Sequence, residues 1–407
     1  MSRPEVIVSV NKKAENSIKA GHPWVYAEEV DSIDLSYTNG ELVDVVNGKG
    51  SWLGTGFIND NSKILVRIIS RNTNDRFDVA FWRRRLAYAV NYRKTVMGDD
   101  FRCCRLIFGE ADQFPGLTVD LFEDIVVTEV LSLGIDKIKY MLYELLIDIL
   151  KENGVNVRAI YERNEAEIRT KEGMDKYKGF VSMDGLSDDL DGHVRITENG
   201  IIYDVDYING QKTGFFLDQK YNRKAVAKLA KGMRALDCFT HTGAFALNMA
   251  IGQAEHVTAL DISADAVNMT KKNIGLNNLE DKIDVIRTDV FDYLTELALK
   301  KQKPFDLIVL DPPAFTKSNA TVRNAYKGYK EINMKAMKIL PRGGYLATCS
   351  CSHFMKADMF RNMLVDAARD ASVSLRLIEE RKQAPDHPIL WGVPETEYLK
   401  FFIFQVV

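Results

Sequence analysis

Met233-Arg234-Ala235-Leu236-Asp237-Cys238-Phe239-Thr240-His241-Thr242-Gly243-Ala244-Phe245 changes character midway. Met233 to Leu236 has the apolar run of a short buried strand, and the residues from Gly243 open a helix through Ile251. A glycine at a strand-to-helix turn lets the backbone come close to a ligand. The pattern then repeats. His256 to Leu260, Ile283 to Arg287 and Phe305 to Leu310 are further strand-like runs separated by helical ones. Alternation with short turns predicts a doubly wound, mostly parallel α/β sheet.

All four strands end on an acid: Asp237, Asp261, Asp289 and Asp311. The carboxyl ends of strands in such sheets form the ligand crevice. A single aspartate there could be a helix cap. Four in register, the last within Asp311-Pro312-Pro313-Ala314-Phe315, point to a ligand instead. Asp261 is placed to accept bonds from both hydroxyls of a ribose. Asp289, in Thr288-Asp289-Val290-Phe291, can hold an adenine edge while its apolar neighbour packs on the ring face. Gly243 lacks the companion glycines of a pyrophosphate-binding dinucleotide site, which argues against a nicotinamide dehydrogenase.

A fifth strand follows the turn Pro341-Arg342-Gly343-Gly344 and ends as Leu346-Ala347-Thr348-Cys349-Ser350-Cys351-Ser352. Only 5 of 407 residues are cysteine, so two at one strand end need a reason. Small buried thiols are common core residues. At the mouth of a ligand crevice, a nucleophile is the sharper reading. Strand periodicity does not separate the two sulfurs, because side chains two apart share a face.

The strand-end acids and the Asp-Pro-Pro tripeptide resemble a class I S-adenosylmethionine-dependent methyltransferase, whose rigid Asp-Pro-Pro loop presents a flat target to the methyl group. Carbon 5 of cytosine is a poor nucleophile until a thiolate adds at carbon 6, and that demands an exposed cysteine with thiolate character. Asp311 stands where it could absorb charge around N3 and N4 of the ring. The target base must be unstacked, by flipping or in a single-stranded loop.

Further upstream, Lys212-Thr213-Gly214-Phe215-Phe216-Leu217-Asp218-Gln219 leads into a helix through Lys231, and Val194–Thr197 with Ile201–Tyr207 reads as a hairpin. Residues 73–182 read as a central α+β module. Its first helix, Phe77–Val96, carries Arg83, Arg84, Arg85, Arg93 and Lys94 on what reads as a polar side, a patch that could neutralise phosphates. Residues 1–72 are short β-rich runs divided by Gly and Asn turns, as in a compact barrel. Lys19-Ala20-Gly21-His22-Pro23-Trp24-Val25-Tyr26 resembles the start of a PUA domain, a small RNA-binding barrel. Residues 183–407 form the methyltransferase domain in this reading.

Taken in order, these motifs resemble the RlmI-type family of bacterial 23S rRNA cytosine-C5 methyltransferases across essentially the whole chain, including Asp386-His387-Pro388 and Tyr398-Leu399-Lys400. The resemblance implies S-adenosylmethionine as donor, a cytosine of large-subunit rRNA as target and a homodimer. It carries Asp237, Phe239, Gly243, Asp261 and Asp289 over as cofactor positions, with Asp311 beside them and Gln219 and Arg223 toward the methionine end. It favours Cys349 over Cys351 as nucleophile, because Ala-Thr-Cys-Ser matches the motif of the wider RNA cytosine-C5 group. That group also carries a cysteine in the loop after the fourth strand, where this chain has Ala314. Product release then falls to Cys351, a water or Asp311. Two other functions share these features: an rRNA guanine-N methyltransferase, which needs no sulfur, and a non-catalytic RNA-binding assembly factor.

Composition agrees with a soluble cytosolic setting. The net charge of −3 gives no polycation signature, so RNA contacts must be local. The cysteines form neither a disulfide framework nor paired metal-ligand spacings. No signal-like N-terminus or membrane-length apolar run is present.

Overall fold

The computed structural model describes residues 4–316 and 318–407. They form two compact units. One holds residues up to Ile196 with Val205–Leu217 and Pro385–Thr396, and the other holds Thr197–Asp204, Asp218–Ala384 and Glu397–Val407.

The first unit begins with β1 (Ile7–Val10), α1 (Lys12–Lys19), β2 (Trp24–Tyr26), β3 (Val30–Ile33), β4 (Leu42–Asn47), β5 (Trp52–Ile58) and β6 (Ile64–Ser70). The sheet order is β2-β6-β5-β4-β1-β3. Val8, Val25, Val43 and Val66, from four strands, meet in one core with Ile18 of α1, and Ile33 of β3 packs against it. Both end strands therefore roll onto the same interior, aided by register shifts in β1, β5 and the β2–β6 pair. The runs read as strands in the sequence appear within a residue or two. Helix α1 and the three-to-four-residue strands β2 and β3 were not read from the sequence; α1 buries Ala14 and Ile18 one turn apart and is capped by Asn11, which accepts from the amides of Lys13 and Ala14.

Next come α2 (Val79–Met97), β7 (Cys103–Phe108), β8 (Leu117–Phe122), β9 (Ile125–Val130), α3 (Leu133–Glu152), β10 (Ala159–Asn164), α4 (Ile168–Lys171) and β11 (Tyr177–Phe180). Their strands form a second sheet, β11-β10-β9-β8-β7. One of the cations that the sequence placed on the polar side of α2 is not there. Arg93 lies on the buried face with Phe81, Leu86 and Val90. It pairs with Asp112 at 2.5 Å, while Arg83 reaches Glu152 and Arg84 reaches Asp75. Arg85 lies over the Phe81 ring at 4.5 Å. Burial pulls its pKa down to about 10.

A hairpin, β12 (His193–Glu198) and β13 (Ile201–Asp206), precedes α5 (Lys220–Ala227). The second unit then runs β14 (Arg234–Cys238), α6 (Ala244–Ile251), β15 (His256–Asp261), α7 (Ala264–Leu276), β16 (Ile283–Arg287), α8 (Val290–Leu299), β17 (Leu307–Leu310), α9 (Val322–Ile339), β18 (Tyr345–Ser350), α10 (Ala357–Ala371), β19 (Leu375–Arg381) and β20 (Lys400–Val406). The sheet order is β16-β15-β14-β17-β18-β20-β19, with β20 antiparallel to both neighbours. This is the doubly wound sheet expected. Strand order reverses between β14 and β17, which opens the crevice at their carboxyl ends. Register sets the site: Leu310 lies opposite Thr348, so the next residues, Asp311 and Cys349, emerge side by side. Beneath them a core of Leu236, Ile308, Leu346, Tyr329 and Phe360 fixes both strands. No helix among the described residues is long and apolar enough to cross a membrane.

Candidate active site

The loop after β14 packs three left-handed residues into a short turn: Phe239 at φ 64°, His241 at φ 54° and Gly243 at φ 82°. Two of these are not glycine, and each such residue costs on the order of 1 kcal/mol or more. The loop is held against that cost. Asp237 accepts from Thr240 Oγ1 at 2.6 Å and from the Ala246 amide at 3.0 Å. The amide of His241 donates to Asp261 Oδ2 at 3.0 Å. A Cβ on Gly243 would lie 2.8 Å from Cγ2 of Thr270, so that position admits no larger residue without movement.

The four strand-end acids do different work. Asp237 is buried; burial pushes its carboxyl up to about 7, and its Oδ1 has no hydrogen-bond partner. Asp261 is half-buried, its Oδ1 accepting from the Ser263 amide at 2.9 Å. Beside it Ile262 is 62% exposed, an apolar face at the crevice rim. Asp289 is the N-cap of α8, accepting from the amides of Phe291 and Asp292. Phe239 packs half-buried against the core below.

Asp311 differs from the other three because its partners are side chains from distant segments. The thiol of Cys349 donates to Asp311 Oδ1 at 2.9 Å. The amide of Gln219 donates to the same oxygen at 3.2 Å and to Cys349 Sγ at 3.4 Å. Asn222 donates to Gln219 Oε1 at 2.6 Å, which fixes the amide with its nitrogen toward the sulfur and the acid. Cys349 is 0% exposed. Burial, and after it the charge of Asp311, pushes its thiol well above the usual range. Cys351 is half-exposed. The loops after β17 and β18 are tied by Ser352 Oγ donating to the Thr316 carbonyl at 2.9 Å.

The structure thus brings Cys349, Asp311 and Gln219 together. It does not bring Arg223 into that cluster: its guanidinium forms a buried two-point pair with Glu198 at 2.7 and 2.8 Å. Asn222 and Ser352 were not singled out from sequence. Asn222 lies one helical turn from Gln219, and that spacing was the available signal.

Comparison with known proteins agrees with this fold. A family model described as a PUA-like domain matches residues 8–71, and one described as an S-adenosylmethionine-dependent methyltransferase matches residues 171–404. The protein named ribosomal RNA large subunit methyltransferase I from Yersinia pestis bv. Antiqua (strain Angola) is 36% identical over 398 residues, covering 97% of this chain and 98% of its own. A chain from Streptococcus mutans described as a SAM-dependent methyltransferase superposes with a TM-score of 0.81 at 20% identity, over 98% of this chain and 100% of that one. A methyltransferase structure complexed with SAH superposes at 0.83, also at 20% identity and with the same coverage.

Proposed function

Because the chain belongs to the family of S-adenosylmethionine-dependent methyltransferases named ribosomal RNA large subunit methyltransferase I, carrying a PUA-like domain at its N-terminal end, we propose that it methylates carbon 5 of a cytosine in large-subunit (23S) rRNA in the cytoplasm, with Cys349 as nucleophile. The contact of the Cys349 thiol with Asp311 carries this reading.

The crevice fits the donor. The half-buried acids Asp261 and Asp289 and exposed Ile262 suit an adenosine, and the left-handed loop through Gly243, held by Asp237, offers close backbone approach. When bound, S-adenosylmethionine supplies an electrophilic methyl group.

The chain's own residues then divide the work. Asp311 is the acceptor for the thiol proton as Sγ of Cys349 bonds to carbon 6. The carboxyl so protonated is a donor for ring N3, which takes up the charge displaced through the ring. Gln219 holds both groups in line. In the free protein the thiol stays protonated, which keeps a buried sulfur from reacting before a base arrives. The same burial is the observation that favours the guanine-nitrogen alternative, in which the sulfur has no role.

Incubation with large-subunit rRNA containing 5-azacytidine separates the two. A covalent protein–RNA adduct is expected with the native chain and not with Cys349→Ala. An adduct retained by Cys349→Ala and lost by Cys351→Ala would move the nucleophile. Methylguanine without any adduct would replace the cytosine reading.

A further inference from the structure

Lys400 opens β20 and lies in register with Ser350, the residue between the two cysteines. It is 8% exposed. Its ammonium donates to the carbonyl of Ser352 at 2.6 Å and to that of Tyr398 at 2.8 Å. No carboxylate among the described residues forms an ion pair with it. A buried ammonium held only by carbonyls is costly. Burial pulls its pKa down to about 8, and Cys351 and then Cys349 oppose that pull. Of the other charged groups around it, Lys356 lowers and Glu397 raises the value. Tyr329 of α9 accepts from Ser350 Oγ at 3.1 Å and its pKa is raised in part by Cys351, while Asp311 accepts from the Cys349 thiol. Bonded to the carbonyl of the residue that follows Cys351 and paired with the residue that precedes it, the ammonium is fixed beside the segment that carries the Cys351 sulfur.

We propose that Lys400 is a positioning residue for Cys351: fixed by the Ser352 and Tyr398 carbonyls, its ammonium favours the Cys351 thiolate, and that thiolate is the base that releases product. The second half rests on the cytosine reading above. The adduct after methylation carries a proton and a methyl on carbon 5 and the Cys349 sulfur on carbon 6. The Cys351 thiolate takes the carbon-5 proton as a new S–H bond. The C–H electron pair becomes the 5,6 double bond, the carbon 6–sulfur bond breaks, and Cys349 leaves as thiolate. Cys351 is half-exposed, so its proton can pass to water. Ala314 supplies no competing group from the neighbouring loop.

The test uses the full chain without RNA first. Iodoacetamide labelling of Cys351, followed by peptide mass across pH 6–9, reads thiolate directly. The native chain should label with a midpoint below the ~8.5 of a free thiol. Lys400→Met should slow labelling at pH 7 about tenfold, and Lys400→Arg should restore most of it, since one nearby cation shifts a thiol by about one unit. A native midpoint at or above ~8.5 overturns the proposal even if the variant fails to fold. So does unchanged labelling in a Lys400→Met chain that still binds S-adenosylmethionine in calorimetry. With rRNA, Cys351→Ser and Lys400→Met should accumulate the covalent adduct on ordinary cytosine. Adduct on azacytidine RNA without accumulation on ordinary cytosine overturns the release role while leaving the cytosine reading intact. Absence of any adduct, with slowed labelling, removes the cytosine reading and the release role with it, and supports the thiolate assignment.

Discussion

Two half-buried aspartates, one in each unit, have different kinds of partner. Asp112 meets Arg93 at two points, 2.5 and 2.7 Å, and also accepts from the Phe108 amide. Arg93 in turn donates to the carbonyls of Arg105 and Asp386. Charge cancels charge there, and a buried pair of that kind is architecture. Asp311 instead accepts from a thiol and a carboxamide, neither charged. It raises the thiol it touches. One carboxylate is tied to a guanidinium of its own unit; the other touches the sulfur that the proposed reaction uses.

The contrast can be broken by substitution. Cys349→Ala should reduce methyl transfer by at least ~10³-fold, scored by labelled methyl incorporated into rRNA, with little change in the melting curve. Asp112→Ala should cost about 3–5 kcal/mol in urea unfolding, because it leaves Arg93 buried without its anion, while turnover per folded molecule stays native. Asp311→Asn should behave the opposite way, with turnover down ~10²-fold and urea stability within about 1 kcal/mol of native. If Asp112→Ala destroys turnover in folded protein, or Asp311→Asn mainly unfolds the chain, the division between the two acids fails. The smallest effect concerns pH. The Cys349 thiol is raised, so its thiolate appears only as pH climbs above the ordinary thiol range, and at pH 7 iodoacetamide should label Cys351 well ahead of Cys349.

The parallel sheet was readable because four of its five parallel strands lead into an acid at their carboxyl ends, and the adjacency of Asp311 and Cys349 follows from neighbouring parallel strands. The uses of those acids were not readable to the same degree. Asp289 caps a helix and Asp237 braces a loop, and both are local bonds that the same sequence pattern equally allows. Arg93 shows the limit more sharply. One helix position decides whether an arginine faces water or the interior, and its partners Asp112 and Asp386 lie 19 and 293 residues away. The placement of Gln219 against a sulfur 130 residues distant is likewise a product of tertiary packing.

The position of β20 between β18 and β19 has a consequence for how the molecule is made. Phe401 lies opposite Cys349, so the sulfur gains that wall only when β20 slots into place. Pairings that span so much chain form slowly compared with local helices. During refolding, Cys349 should therefore stay open to a thiol reagent until that insertion and close with it. A pulse of reagent at successive times would then make the sulfur a clock for the completion of the sheet.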